Sequence, residues 1–181
     1  MRMVLNDCLA MGVNSVSNIG PSISYVDKDS EIFKVLTSAG ITLQNEIDML
    51  KLAKDEMGMV TIGLAFTKEE SLELVAGAKP HIFCYHAGTT KGGLTGYDNG
   101  STIEQTAKET EDVYQAIRNI APDTILVGHG AAMETPEDAQ YMLNNTSGHG
   151  FWTGSSTERL PIERAVSHAA EQFTQLTFEK E

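Results

Sequence analysis

Apolar and polar positions alternate between two rhythms along this chain. Short, nearly continuous apolar runs occur at VNSVSNIG (13–20), MVTIGLAFT (59–67), HIFCYHAG (81–88), TILVGHG (124–130) and GHGFWTG (148–154). Between them, apolar residues recur every three or four positions, as on one face of a helix. Leu43, Ile47, Leu50, Ala53 and Met57 form such a face over 42–57. Ile103, Ala107, Val113, Ile117 and Ile120 form another over 102–120, and Ile162, Ala165, Val166, Ala169, Phe173 and Leu176 a third from about Pro161 onward. Residues 2–11 and 31–39 also read as helical. Thr42 and Thr67 are predicted helix caps, and Thr135-Pro136-Glu137-Asp138 is a helix start with cap, proline and first-turn acid in order.

Strands alternating with helices predict an α/β fold with a parallel sheet and right-handed crossovers. The continuously apolar strands fit a sheet covered on both faces. Two architectures satisfy this pattern: an open doubly wound sheet and a (β/α) barrel. Five strands are present, whereas a closed barrel needs eight and typically ~250 residues. A barrel reading therefore makes residues 1–181 a single partial TIM-barrel domain, incomplete as a single chain. An open edge would then invite a homo-oligomer or a second chain completing the barrel.

The 181 residues carry a formal net charge of -12, which opposes contact with nucleic acid or anionic membranes. No stretch approaches the ~20 apolar residues of a membrane helix, and the N-terminus reads as structure rather than a targeting peptide. Two cysteines, Cys8 and Cys84, are too few for a disulfide scaffold. Cys84, inside an apolar run, reads as a buried thiol, and the expected compartment is cytoplasmic.

The chemistry-bearing residues gather at the C-terminal ends of the strands: Asn18, His86, His129, Thr153, Ser155 and Ser156. In a parallel sheet these ends share one face, where a single mouth collects them. His86 and His129 suit acid, base or hydrogen-bond donor roles, or else carbonyl-bonded structural roles. His81 begins its strand and reads as structural, His168 as solvated. TGSST (153–157) offers amides and hydroxyls at a helix start, the chemistry that holds an oxyanion, with Arg159 as a possible fork of donors. The plainer reading is a capped turn with Glu158 and Arg159 paired to neighbours. The histidines lack zinc-ligand spacing. Mg²⁺ remains a possible cofactor, held partly by substrate oxygens, with Glu46 and Glu134 as candidate carboxylates.

GFWTGSSTERLPIERAV, HIFCYHAGTTKGG, ILVGHGAAMETPEDAQYML and NEIDMLKLAKDEMGMVT, taken together, resemble the phosphoenolpyruvate hydrolase-like TIM-barrel family, also labelled TIM-barrel signal-transduction proteins. The resemblance covers nearly the whole chain and aligns its start with the region entering the fourth barrel strand. It implies site residues at Glu46, His86, Thr90, Gly92, Gly93, His129, Gly130, Ser155, Ser156, Glu158 and Arg159, with Gly154 inside the same turn. It implies binding, and possibly hydrolysis, of a small phosphorylated or carboxylated metabolite. A non-catalytic ligand-sensing, signal-transduction or protein-interaction module is the alternative. The chain departs from the family at SNIGPSI, and at Ala131 and Ala132, which stand where H-G-G-P has its second glycine and proline.

Overall fold

The structure, a computed structural model, describes residues 1–19, 24, 26–94, 96 and 100–177. Helix α1 (Arg2–Ala10) leads into β1 (Ser15–Ser17), then α2 (Glu31–Ser38) and α3 (Leu43–Lys51), which a π-helical turn extends through Leu52–Glu56. There follow β2 (Val60–Ala65), α4 (Lys68–Ala78), β3 (Ile82–His86), α5 (Ile103–Arg118), β4 (Ile125–His129) and α6 (Pro136–Asn145). The chain ends with β5 (Gly150–Phe151), the single turn α7 (Ser155–Glu158) and α8 (Leu160–Thr174).

The capping signals act as read from the sequence. The hydroxyls of Thr42 and Thr67 accept the amides of Asn45 and Glu70. Thr135 closes a capping box with Asp138, with Pro136 opening the helix. Thr102 closes another with Gln105. Strand lengths differ from expectation. The 13–20 run forms pairing only at 15–17, Gly20 lies outside the described residues, and the fifth strand is two residues long. The predicted 42–57 helix keeps its buried face (Ile47, Leu50, Ala53) but changes to π geometry after Lys51.

All five strands are parallel, in the order β1-β2-β3-β4-β5. This order decides between the two architectures. A doubly wound sheet reverses direction at a switch point and carries helices on both faces. Here every crossover steps the same way, and right-handed crossovers that all step one way put their helices on one face. The sheet is an incomplete TIM barrel.

Alternation along the strands separates the two faces. Ala65, Phe83, Tyr85 and Leu126 pack outward against Ile47, Leu50, Leu74, Val75, Val113, Tyr114 and Ile117 of α3, α4 and α5. Gly63 sits where a Cβ would lie 2.4 Å from Leu74, so this strand and helix touch backbone to side chain. The opposite, concave face carries Val60, Ile62, Ile82, Ile125 and Val127, and at its far end His86 and His129. Cys84 lies on the same face at the centre of the sheet, fully buried. The two-sided burial that the apolar strands imply is complete only on the helix side; on the concave side Leu64 and Cys84 are buried, but Val60 and Ile125 are exposed. The α8 stripe is likewise uncovered, with Ile162, Val166 and Phe173 exposed, and Ile120 lies past the end of α5, 46% exposed.

Helix α4 ends at Lys79, an exposed residue in the left-handed conformation (φ 45°). A Cβ is disfavoured there and glycine is the usual occupant. Lys79→Gly should raise stability by about 0.5–1 kcal/mol, net of the extra freedom glycine gives the unfolded chain. Urea or thermal unfolding reads this as a rise in Tm of about 2 °C; a fall would mean that the turn draws its stability from the lysine side chain.

Candidate functional site

The parallel register places His86 of β3 directly beside His129 of β4. Both side chains project from the concave face at the C-terminal end of the sheet. Their rings meet edge to face, centroids 4.6 Å apart, and the Phe66 ring packs against His86 at 4.7 Å.

Hydrogen bonds fix how each ring presents itself. The Gly88 N–H donates to His86 Nδ1 (3.2 Å), so the proton of neutral His86 is on Nε2. His129 Nδ1 lies 2.7 Å from the Trp152 carbonyl, which only accepts. In its neutral form His129 therefore carries its proton on Nδ1 and leaves a lone pair on Nε2. The pair is complementary: one ring offers a donor, the other an acceptor. Burial, and then the charge of the neighbouring His129, push His86 down to about 4, against an opposing contribution from its local backbone hydrogen bond. His86 is thus neutral at physiological pH.

A cavity of about 640 Å³ opens over these rings. Its wall includes Asn18, Leu64, Phe66, Thr89, Thr90, Trp152, Thr153, Gly154, Ser155 and Glu158. Gly154 lies flat on His129, where a Cβ would come 2.8 Å from the ring. In α7, the amides of Thr157 and Glu158 bond the Gly154 carbonyl. Those of Ser155 and Ser156 head the turn. A second cleft of about 480 Å³, beside Lys54, Lys79 and His81, lies at the opposite end of the strands. His81 is tied there by the Thr61 amide (3.0 Å), and barrel sites lie at the C-terminal ends instead.

Asn18 completes β1 with its side chain. Its Oδ1 accepts the Leu64 amide (2.7 Å) while Nδ2 donates to the Leu64 carbonyl (2.8 Å) and to Glu46. Glu46 reaches the site through Asn18 and is absent from the cavity wall. Burial pushes the Glu46 carboxyl up, the Asn18 amide offsets this in part, and the charge of Glu70 pushes it further up.

Arg159 is placed differently from the fork for a ligand that the sequence suggests. Its Nη1 donates to the Gly92 carbonyl (2.9 Å) and to Glu163, and Nη2 to the Thr90 carbonyl (3.1 Å). Glu163 Oε2 also accepts the Leu94 amide (2.7 Å). Together they clamp the loop that carries buried Thr90. Gly92 and Gly93, both left-handed (φ 76° and 73°), leave no room for a Cβ against Glu134 and Glu163. The loop is also laced to the end of β4: Ala87 N–H to His129 O, Ala131 N–H to Gly88 O, and Lys91 N–H to Ala131 O. Ala131 is left-handed (φ 47°), the geometry of the glycine it replaces in the motif.

The structure thus brings His86, His129, Thr90, Gly154, Ser155 and Glu158 to one cavity. It assigns Gly92, Gly93 and Arg159 to the loop clamp, links Glu46 through Asn18, and leaves Ser156 off the wall. Among the described residues, no group of three His, Cys, Asp or Glu side chains is gathered to hold a metal ion. Glu163, Phe66 and Trp152 were missed as functional positions. Glu163 had a signal, its i+4 spacing from Arg159.

Two measurements check this geometry. The His86 ring signals should titrate with a midpoint near pH 4 by NMR. Because an unfolded histidine protonates near pH 6.5, the unfolded chain gains a proton at this position as pH falls below ~6.5 and the folded chain does not. Stability from this group is therefore fully present above that pH and is lost as pH falls toward 4; a midpoint above 6 would refute the buried neutral ring. Separately, Glu163→Gln should speed hydrogen exchange of the Leu94 amide about tenfold or more, the worth of a charge-assisted bond. Unchanged exchange would remove the clamp.

The chain is similar to two tomato (Solanum lycopersicum) proteins, the ToMV resistance protein Tm-1(GCR237) and the ToMV susceptible protein tm-1(GCR26). Each is 32% identical over 180 residues, 99% of this chain and 23% of the relative. A Sinorhizobium fredii protein named as a transcriptional regulatory protein, y4pA, is 25% identical over 162 residues, 90% of this chain and 26% of the relative. The chain spans about a quarter of the length of these curated relatives. Among the described residues, no helix is long and apolar enough to cross a membrane. The phosphoenolpyruvate hydrolase-like pattern runs through residues 1–176, in step with the parallel (β/α) units and the strand-end histidines, and the chain belongs to that family.

Proposed function

We propose that the cavity binds a small phosphorylated or carboxylated metabolite and hydrolyses it, with an enol phosphate as the type substrate. The observation that supports this reading is the complementary histidine pair. His129 Nε2 has the lone pair to take a proton from water as the water oxygen attacks phosphorus. The bond from phosphorus to the enol oxygen breaks. His86, neutral, serves as a donor through Nε2–H to the oxygen that gains charge, rather than as a proton source. The enolate then takes a proton from solvent, so phosphoenolpyruvate would give pyruvate and phosphate. The Ser155 hydroxyl and amide and the Thr90 side of the wall supply neutral donors for the anion. Mg²⁺, if bound, would neutralise substrate oxygens, and no step above is routed through it.

The names of the relatives favour a second reading. A resistance protein and a transcriptional regulatory protein point to a ligand-sensing or protein-interaction module on the same fold. Binding without turnover separates the two.

With phosphoenolpyruvate as probe, the His86 and His129 ring signals should shift saturably, and phosphate should be released. His129→Ala should slow release by about 10²–10⁴-fold with binding changed only a few-fold. Saturable binding without phosphate release favours the sensing module; absence of saturable binding rejects the anionic metabolite.

A further inference from the structure

A third cavity, of about 420 Å³, lies between α2 and the first turns of α3 and α4. It shares no wall residue with the histidine cavity. Phe33 of α2 and Leu43 of α3 give it an apolar side, and Glu69, Glu70 and Glu73 of α4 an acidic one. Against these three glutamates the described wall sets one cation, the exposed Lys28.

Two atoms of this wall are buried without a hydrogen-bond partner: Oε2 of Glu70 and Oγ of Ser24. Among the described residues, only the Thr110 hydroxyl shares that state. Buried polar groups are nearly always bonded, and a carboxylate oxygen without a donor is costly. Two of the three exceptions therefore belong to one cavity.

Glu70 also forgoes the bond its position offers. Thr67-x-x-Glu70 has the spacing of a capping box, in which the glutamate accepts the amide of the capping threonine. Thr102 with Gln105 and Thr135 with Asp138 close that box, whereas α4 makes only the threonine half. The charge of Glu70 is felt at Glu46 instead. Burial holds the Glu46 carboxyl up, the Asn18 amide opposes, and Glu70 adds to the rise. Neither glutamate is paired with a lysine or arginine among the described residues.

We propose that this cavity binds an aliphatic polyamine. One ammonium donates to Glu70 Oε2 and Ser24 Oγ, the methylene chain lies along Phe33 and Leu43, and a second ammonium meets Glu69 or Glu73. An ammonium has three donors and no acceptor, which suits two unpartnered oxygens that can both accept. The volume is that of a site for a small organic molecule. A metal ion lacks its ligands there, since no group of three His, Cys, Asp or Glu side chains is gathered among the described residues. The site stands independently of the enol phosphate proposed above.

The test is NMR titration of the full chain with spermidine at low ionic strength. The Phe33, Leu43 and Glu70 amides should shift saturably, with one spermidine bound per chain. The Glu46 carboxyl should titrate at lower pH in the complex, because the ammonium offsets the charge of Glu70. Glu70→Gln should weaken binding about tenfold or more, the worth of a charge-assisted bond. Glu104→Gln, at an exposed glutamate of α5 outside the cavity wall, should change it less than about twofold. Ser24→Ala removes a hydroxyl with no partner in the fold; it should weaken binding about threefold or more and leave the unfolding midpoint unchanged. Shifts that scatter over the acidic surface without saturating, equal losses in Glu70→Gln and Glu104→Gln, full binding by Ser24→Ala, or an unmoved Glu46 midpoint each overturn the site. Mg²⁺ that reproduces the shifts and displaces spermidine overturns the amine.

Discussion

The pairing of β3 with β4 governs the rest of the molecule. It is parallel and in register from Ile82 and Ile125 to His86 and His129. One register sets three things at once. It sends Phe83, Tyr85 and Leu126 to the helices, keeps Cys84 and Val127 on the concave face, and ends both strands on a histidine. Since a slip of one residue turns every side chain to the other face, the core and the site cannot be chosen separately. The helix-facing packing therefore also fixes the edge-to-face contact between the two rings.

Beyond the strand ends, the loops are tied by main-chain bonds more than by side-chain contacts. Three amide–carbonyl bonds join the segment after β3 to the segment after β4, and the Arg159–Glu163 pair holds the next stretch from below. This division explains the glycines. At Gly154 a ring comes too close for a Cβ, and Gly92, Gly93 and Gly130 add left-handed geometry to the same demand. Precision at the site comes from packed backbone, and the charged residues act mainly as fasteners.

Much of this was legible in the sequence, for identifiable reasons. Helix starts were clear because Thr42, Thr67 and Thr135 carry their capping partners locally. The strand-end histidines were clear because apolar runs stop at them. What stayed hidden depends on distant contacts. The tautomers of His86 and His129 are set by Gly88 and by Trp152, the latter 23 positions away from its ring. The placement of Arg159 turns on carbonyls of 90–92, across the fold, so the sequence left both a ligand fork and pairing with neighbours open. The π geometry of 52–56 is likewise silent in the helical spacing, which stays apolar through Met57. The open concave face was the reverse case: the sequence showed two-sided apolar strands, and only the topology reveals that helices cover one side alone.

Cys84 lies on the concave side yet is fully buried at the centre of the sheet, and burial pushes its thiol up to about 12. Disulfide exchange and alkylation both proceed through the thiolate. The thiol at the middle of this sheet is therefore redox-silent, and of the two cysteines only the partly exposed Cys8 of α1 presents a thiol to oxidants or electrophiles.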